Sequence, residues 1–264
     1  MSDHTAGPGD FVWFELATTD VGAAKQFYAS LFGWTADDMP AGGGTYTMFK
    51  LGGRDAAATY PLRPEQRAQG IPPNWLVYVQ VEDADTSSAR ASTLGGSVLA
   101  KPFDVMDHGR MALIQDPAGA TLALWQPKGH AGARLWGDIG SVGWADLQVR
   151  DQEKAAAFYG ALFGWKMVDG ASMQPAKPGG YYHIVNGTAM IGGIPLPAHV
   201  DPKAHPAWLI YVEVADCAAS TKKAVSLGGR AYVDTMQIGE NGRFSVIADP
   251  QGAVFAIHES LPRS

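Results

Sequence analysis

Side chains alternate along Phe11-Val12-Trp13-Phe14-Glu15-Leu16-Ala17-Thr18 in a way that suits a strand. Successive residues of a strand point to opposite faces, so Phe14, Leu16 and Thr18 share one face and Trp13, Glu15 and Ala17 the other. Asp20 then stands where it can cap a helix. The apolar residues Phe27, Tyr28 and Leu31 recur at helical spacing, which marks them as core, and Gly33 supplies the stop. Tyr46 to Leu51 and Ala56 to Tyr60 read as strands about the Gly52-Gly53 turn, with room for one more strand near Trp34. A connector rich in proline and arginine, 61–73, leads to an apolar strand at Trp75 to Val81 and a helix from about Asp85 that Gly95-Gly96 ends. A hairpin closes the segment, its turn made by Asp116-Pro117-Ala118-Gly119. The β-α-β-β-β order thus occurs twice within the first half of the chain.

The second half copies the first. Trp144, Asp146, Asp151, Phe158-Tyr159 and Phe163-Gly164-Trp165 each follow their counterparts by 131 positions. Trp208 to Val214, Gly228-Gly229, Gly242-Arg243 and Asp249-Pro250-Gln251-Gly252 follow theirs by 133. Such regularity over several motifs indicates a duplicated domain. The expected layout is a tail at 1–9, a first domain at 10–128 with modules at about 10–62 and 73–127, and a linker at 129–138. A second domain at 139–262 follows, with modules at about 140–197 and 206–260.

Composition narrows the function. At 264 residues and 46% hydrophobic, the chain can bury two ordinary cores. A net charge of -6 without any run of Lys or Arg argues against a nucleic-acid partner. No apolar run approaches membrane length, and the start lacks the cationic and apolar segments of a signal peptide. The single cysteine, Cys217, excludes an intrachain disulfide, suits the first turn of a helix, and fits a reducing compartment, so a cytoplasmic protein is expected. Gly42-Gly43-Gly44 lacks the lysine and the strand-to-helix setting of a phosphate cradle and reads as a loop, at a cavity mouth. Ser, His and Asp occur without a nucleophile elbow.

Asp-Pro-x-Gly in a late hairpin, Phe-Tyr followed by Phe-Gly, and paired β-α-β-β-β units together resemble the vicinal oxygen chelate superfamily, which includes glyoxalase I, extradiol dioxygenases and bleomycin-resistance proteins. The resemblance implies an α+β protein of two tandem glyoxalase-like domains. Each would be a curled eight-stranded sheet around a cavity, built from two βαβββ modules. It also implies three places for metal ligands per domain, and here they hold Trp13, Leu76 and Ala123, then Trp144, Leu209 and Ala256. None offers a donor atom, so no metal and no cofactor are expected, although His258, Glu213, Asp146 and His183 could assemble a relocated site.

The candidate chemistry lies on the cavity faces. Glu15 and Asp146 occupy equivalent positions, where burial could raise their proton affinity enough for a base. Alternatively each pairs with Arg110 or Arg243, because a buried carboxylate must be satisfied. Trp13 and Trp144 either stack on a flat ligand or plug the space. Tyr78 and Gln80, like Tyr211 and Glu213, share these faces and could orient a ligand, with His258 at a strand end.

Three readings stand. The first is metal-independent binding of a small, largely apolar or aromatic compound, as in sequestration or resistance. The second is an enzyme, a glyoxalase-like lyase or isomerase or an oxygenase, using cavity carboxylates or a relocated metal. The third is a structural protein with filled cavities. The expected partner is a small molecule, and the chain is expected to be a monomer or homodimer.

Overall fold

In a computed structural model the described residues are 4–41, 44–239 and 242–261. The first two residues of the Gly42-Gly43-Gly44 loop lie outside them. The first domain runs β1 (Phe11–Thr18), α1 (Val21–Phe32), β2 (Thr35–Ala41), β3 (Gly44–Leu51) and β4 (Arg54–Pro61). After a short helix α2 (Pro64–Ala68) come β5 (Asn74–Gln80), α3 (Ala84–Thr93), β6 (Ser97–Val105), β7 (Gly109–Gln115) and β8 (Thr121–Pro127). The second domain repeats the plan with β9 (Val142–Gln148), α4 (Gln152–Phe163), β10 (Lys166–Val168), β11 (Tyr182–Asn186) and β12 (Ala189–Ile194). It ends with β13 (Ala207–Glu213), α5 (Cys217–Ser226), β14 (Arg230–Ile238), β15 (Gly242–Ala248) and β16 (Val254–Ser260).

One device starts all four module helices. Asp20, Asp83, Asp151 and Asp216 each accept a hydrogen bond from the backbone N–H three residues on, satisfying a donor the helix cannot. Gly33 and Gly164, both at φ 77°, end α1 and α4 in the left-handed conformation that glycine adopts without strain. Cys217 is the first residue of α5 and is buried, and that burial raises its thiol pKa.

The fold is α+β, two tandem domains each with an eight-stranded sheet. Strand order is β2-β3-β4-β1-β5-β8-β7-β6 in one and β10-β11-β12-β9-β13-β16-β15-β14 in the other. The modules therefore join within a domain, through the antiparallel pairs β1–β5 and β9–β13.

The domains are fastened to each other through their helix-bearing faces by reciprocal contacts. The Tyr28 hydroxyl on α1 donates to Asp249 Oδ2 at 3.0 Å, in the late turn of the other domain. Tyr159 on α4 donates to Asp116 Oδ2 at the same distance. Each tyrosine oxygen also accepts from an indole of its own domain, Trp75 at 3.2 Å and Trp208 at 3.3 Å. Phe27 and Tyr28 pack on Phe255 across the boundary, so one apolar core spans both domains. The Phe-Tyr pairs thus hold the domains together as well as filling them.

The segment between β8 and β9 is pinned rather than slack. Ala133 N–H donates to Val12 O at 2.7 Å and Arg134 N–H to Asp55 O at 3.0 Å, so the segment runs between the starts of β1 and β4. Just before, Gly129 and His130 bond back to the Asp107 and His108 carbonyls.

Candidate functional site: a carboxylate held by tyrosines on each concave face

The face of each sheet turned away from the helices carries a carboxylate at its centre. In the first domain Glu15 accepts from the Tyr46 hydroxyl at 2.6 Å and from the Tyr78 hydroxyl at 2.5 Å, one on each oxygen. Trp13 donates its indole N–H to Tyr46 at 2.9 Å, closing the ring of contacts. Strand register explains the convergence, since Trp13 lies opposite Tyr78 and Glu15 opposite Leu76.

The second domain builds the same arrangement with a shorter acid. Asp146 accepts from Tyr181 at 2.5 Å and Trp144 at 2.8 Å on one oxygen, and from Tyr211 at 2.9 Å on the other. Gly193, the neighbour of Asp146 on β12, leaves the space Tyr181 needs, because a Cβ there would overlap its hydroxyl. Burial raises the pKa of both acids, while the hydroxyl contacts pull the other way.

The expected ion pairs with arginine are not made. Arg110 is held by Asp85 at 2.6 Å and Asp104 at 3.3 Å, and Arg243 reaches Glu259 at 3.4 Å. Phenolic hydroxyls satisfy the carboxylates more cheaply, because a neutral donor need not be stripped of a charged group's hydration. Gln80, on the strand next to β1, lies beside Trp125 in the register and bonds through its backbone to Gly9 and Asp10, so it stands near the start of β1 rather than opposite Glu15.

A pH dependence follows from the two raised acids. Unfolded, they titrate near their ordinary values of 4.5 and 3.8. The stability linked to their folded, protonated forms is fullest below those values and is lost as pH rises through the raised ones. Wild type should therefore lose unfolding free energy relative to an E15Q/D146N variant as pH climbs from about 4 to about 8. Urea unfolding across that range checks it, and a constant difference contradicts it.

Other residues make the two faces unequal. In the second, His258 Nδ1 and Glu213 Oε2 share a hydrogen bond at 2.8 Å, and Ser260 N–H donates to the other Glu213 oxygen at 2.8 Å. Burial works to raise the Glu213 pKa, but these two partners hold it below the ordinary value. His183 lies 4.8 Å from the Tyr181 ring, centroid to centroid, and burial lowers its pKa. In the first domain the place of His258 is taken by Trp125, paired in register with Gln80. There His130 sets its ring edge-on to Trp13 at 4.7 Å, and its imidazole, 3.8 Å from Asp55, lowers that acid's pKa.

The positions where the fold's relatives would hold a metal do not fit one here. Trp13 and Trp144 offer only indole N–H donors, already given to tyrosine or aspartate, and Leu76, Leu209, Ala123 and Ala256 have no lone pair. The relocated set does not come together either. Glu213 and His258 pair with each other, Asp146 is taken by tyrosines, and no three His, Cys, Asp or Glu side chains among the described residues are placed to hold an ion. Two hollows lie elsewhere. One of about 390 Å³ is lined by Leu94, Pro117, Lys154 and Phe158, and one of about 530 Å³ by Arg150, Gln152, Pro178 and Tyr182. Neither is lined by Glu15 or Asp146.

Paired βαβββ modules that form an eight-stranded sheet in each domain define a glyoxalase-type fold. The description "Glyoxalase/Bleomycin resistance protein/Dioxygenase superfamily" matches residues 5–124 and 141–257, and the chain belongs to that superfamily. It is 39% identical over 253 residues to "Putative glyoxylase CFP32" of Mycobacterium tuberculosis (strain CDC 1551 / Oshkosh), covering 95% of each chain. It is 36% identical over 267 residues to "Anthracycline biosynthesis protein DnrV" of Streptomyces peucetius, covering 96% of this chain and 94% of that one. Among solved structures, the Mn(II)-bound glyoxalase from Novosphingobium aromaticivorans matches with TM-score 0.66 at 14% identity, over 99% of this chain and 84% of that one. The 2,3-dioxygenase LapB from Pseudomonas sp. KL28 matches with TM-score 0.64 at 11% identity, over 99% and 95%. At such identities the structures establish the fold alone.

Proposed function

We propose that the chain binds a small, flat, largely apolar or aromatic compound on a concave face without a metal ion, as a sequestering or carrying protein does. The observation that carries this is the second face. Trp144, Phe244 and Val246 gather on Leu209, Tyr211 and Ala256 as an apolar cluster separate from the main core. Asp146, at the β9 edge of this cluster, fixes two tyrosine hydroxyls by accepting their hydrogen bonds. Each phenolic oxygen keeps acceptor capacity that a ligand hydroxyl can use. Apolar walls with a few oriented polar atoms are the usual make-up of a small-molecule site. That relatives are named for anthracycline biosynthesis supports a role in handling such a compound.

Titration with 1,8-dihydroxyanthraquinone, followed by quenching of tryptophan fluorescence, tests the proposal. Saturable binding is expected, weakened about tenfold or more by Trp144→Ala through loss of the stacking surface. No saturable binding of this or simpler polycyclic phenols overturns it.

A second reading is favoured by one observation, the raised pKa of Glu15 and Asp146, which suits a general base. A 2-oxoaldehyde–thiol adduct converted by wild type, but not by Glu15→Ala and Asp146→Ala variants, selects that enzyme reading. Against it, the hydrogen bonds already accepted by Asp146 compete with a substrate proton.

A further inference from the structure

We infer that only the second concave face is a working site, because the segment joining the domains stoppers the first; this rests on the reading that the chain binds a small aromatic compound. The stopper is His130. Its ring stands 4.7 Å from Trp13 and 6.2 Å from Trp125, both on the concave face, and its carbonyl accepts the Trp125 indole N–H at 3.0 Å. Its N–H is fixed on His108 O at 3.0 Å, and three residues later the segment is tied to β1. Trp13, Tyr78 and Trp125 are consequently buried and belong to the main core.

Two of the three matching residues of the second domain are partly open, while Tyr211 is buried like Tyr78, and of the carboxylates Glu15 is partly exposed where Asp146 is 4% exposed. Trp144 is partly exposed where Trp13 is 4% exposed, and His258 is partly exposed where Trp125 is 6% exposed. The imidazole beside Trp144 is His183, a strand residue of its own sheet, with ring centroids 6.1 Å apart. The duplication supplied two cups, and the tie between domains used one of them.

The open cup also states what it takes. His258 is held by Glu213 through Nδ1, and the Tyr211 and Tyr181 oxygens are held by Asp146 on the same face. His183 sets its imidazole beside Trp144 and Tyr181 at the same face. These groups suit a planar aromatic compound that carries hydroxyl or carbonyl oxygens at opposite edges, one to meet His258 and one to meet the tyrosines.

Isothermal titration of the full chain with 1,8-dihydroxyanthraquinone decides the matter. One molecule should bind per chain. His258→Ala and Tyr211→Phe should each weaken binding about tenfold, whereas Trp13→Phe and Tyr78→Phe should leave affinity within about twofold. Circular dichroism confirms that each variant is folded. Two molecules per chain, or loss of affinity on changing Trp13 or Tyr78 while His258→Ala and Tyr211→Phe bind normally, overturns the single-cup inference and leaves aromatic binding intact. No binding by folded wild type overturns both.

Discussion

Tyr28→Ala destabilises the whole molecule by about 3–5 kcal/mol, the cost usual for deleting a buried aromatic side chain. The residue is fully buried, packs on Trp34, Trp75 and Phe255, and reaches from one domain to a turn of the other. Tyr28→Phe isolates the hydroxyl and should cost about 1–3 kcal/mol, because it leaves Asp249 with backbone donors alone and takes an acceptor from Trp75. Combined with Asp249→Asn, it should show coupling of about 1 kcal/mol or more in a double-mutant cycle by urea unfolding. Additive losses would mean that the bond between domains contributes nothing of its own. Tyr159 and Asp116 should behave alike, since their geometry repeats the first pair.

Asp146→Ala should destabilise the second domain by about 2–5 kcal/mol, because two hydroxyls and an indole N–H lose a shared acceptor in a buried place. It should also cut the affinity for 1,8-dihydroxyanthraquinone more than about tenfold, since the tyrosines no longer have a fixed orientation. Asp146→Asn keeps one acceptor oxygen and should recover most of the stability. Glu15→Ala is the control: a comparable loss of stability with the affinity unchanged. Unfolding and titration on the same samples separate the two effects. An Asp146→Ala protein of wild-type affinity would show that this carboxylate does not organise the ligand site.

Much of the fold was legible because its signals are local. Asp20 and Gly33 bound a helix by their own chemistry, and period-two patterning on Phe11–Thr18 put Glu15 and Trp13 on one face, where the structure has them. The duplication then carried each assignment to the second half. The partners of the carboxylates were less accessible. Tyr46 and Tyr181 lie 135 residues apart, off the 131 and 133 spacings that the repeat displays, because the chain between helix and third strand differs in length. Tyr46 reaches Glu15 over the intervening strand β4, a contact between non-adjacent strands that no local pattern in the sequence displays.

Arginine was a reasonable partner for a buried acid, but Arg110 and Arg243 find acids nearer on their own or adjacent strands and helices. His130 was hidden for another reason: it lies in the segment read as a linker, and linkers carry no periodicity from which a packed side chain could be inferred. Tyr28 was legible as core from helical spacing, yet its bond to Asp249 spans 221 residues and needed the domain arrangement.

The central claim is that these sheets offer apolar and phenolic groups where a divalent ion would be held in metal-dependent relatives. It is tested by titrating 1,8-dihydroxyanthraquinone into protein stripped with chelator, then into the same protein after addition of Mn²⁺, Zn²⁺ or Ni²⁺, with metal content measured on each sample. The same affinity in every sample, with no ion retained after desalting, is the predicted result. Binding or turnover that appears only when about one ion per domain is retained would contradict the account.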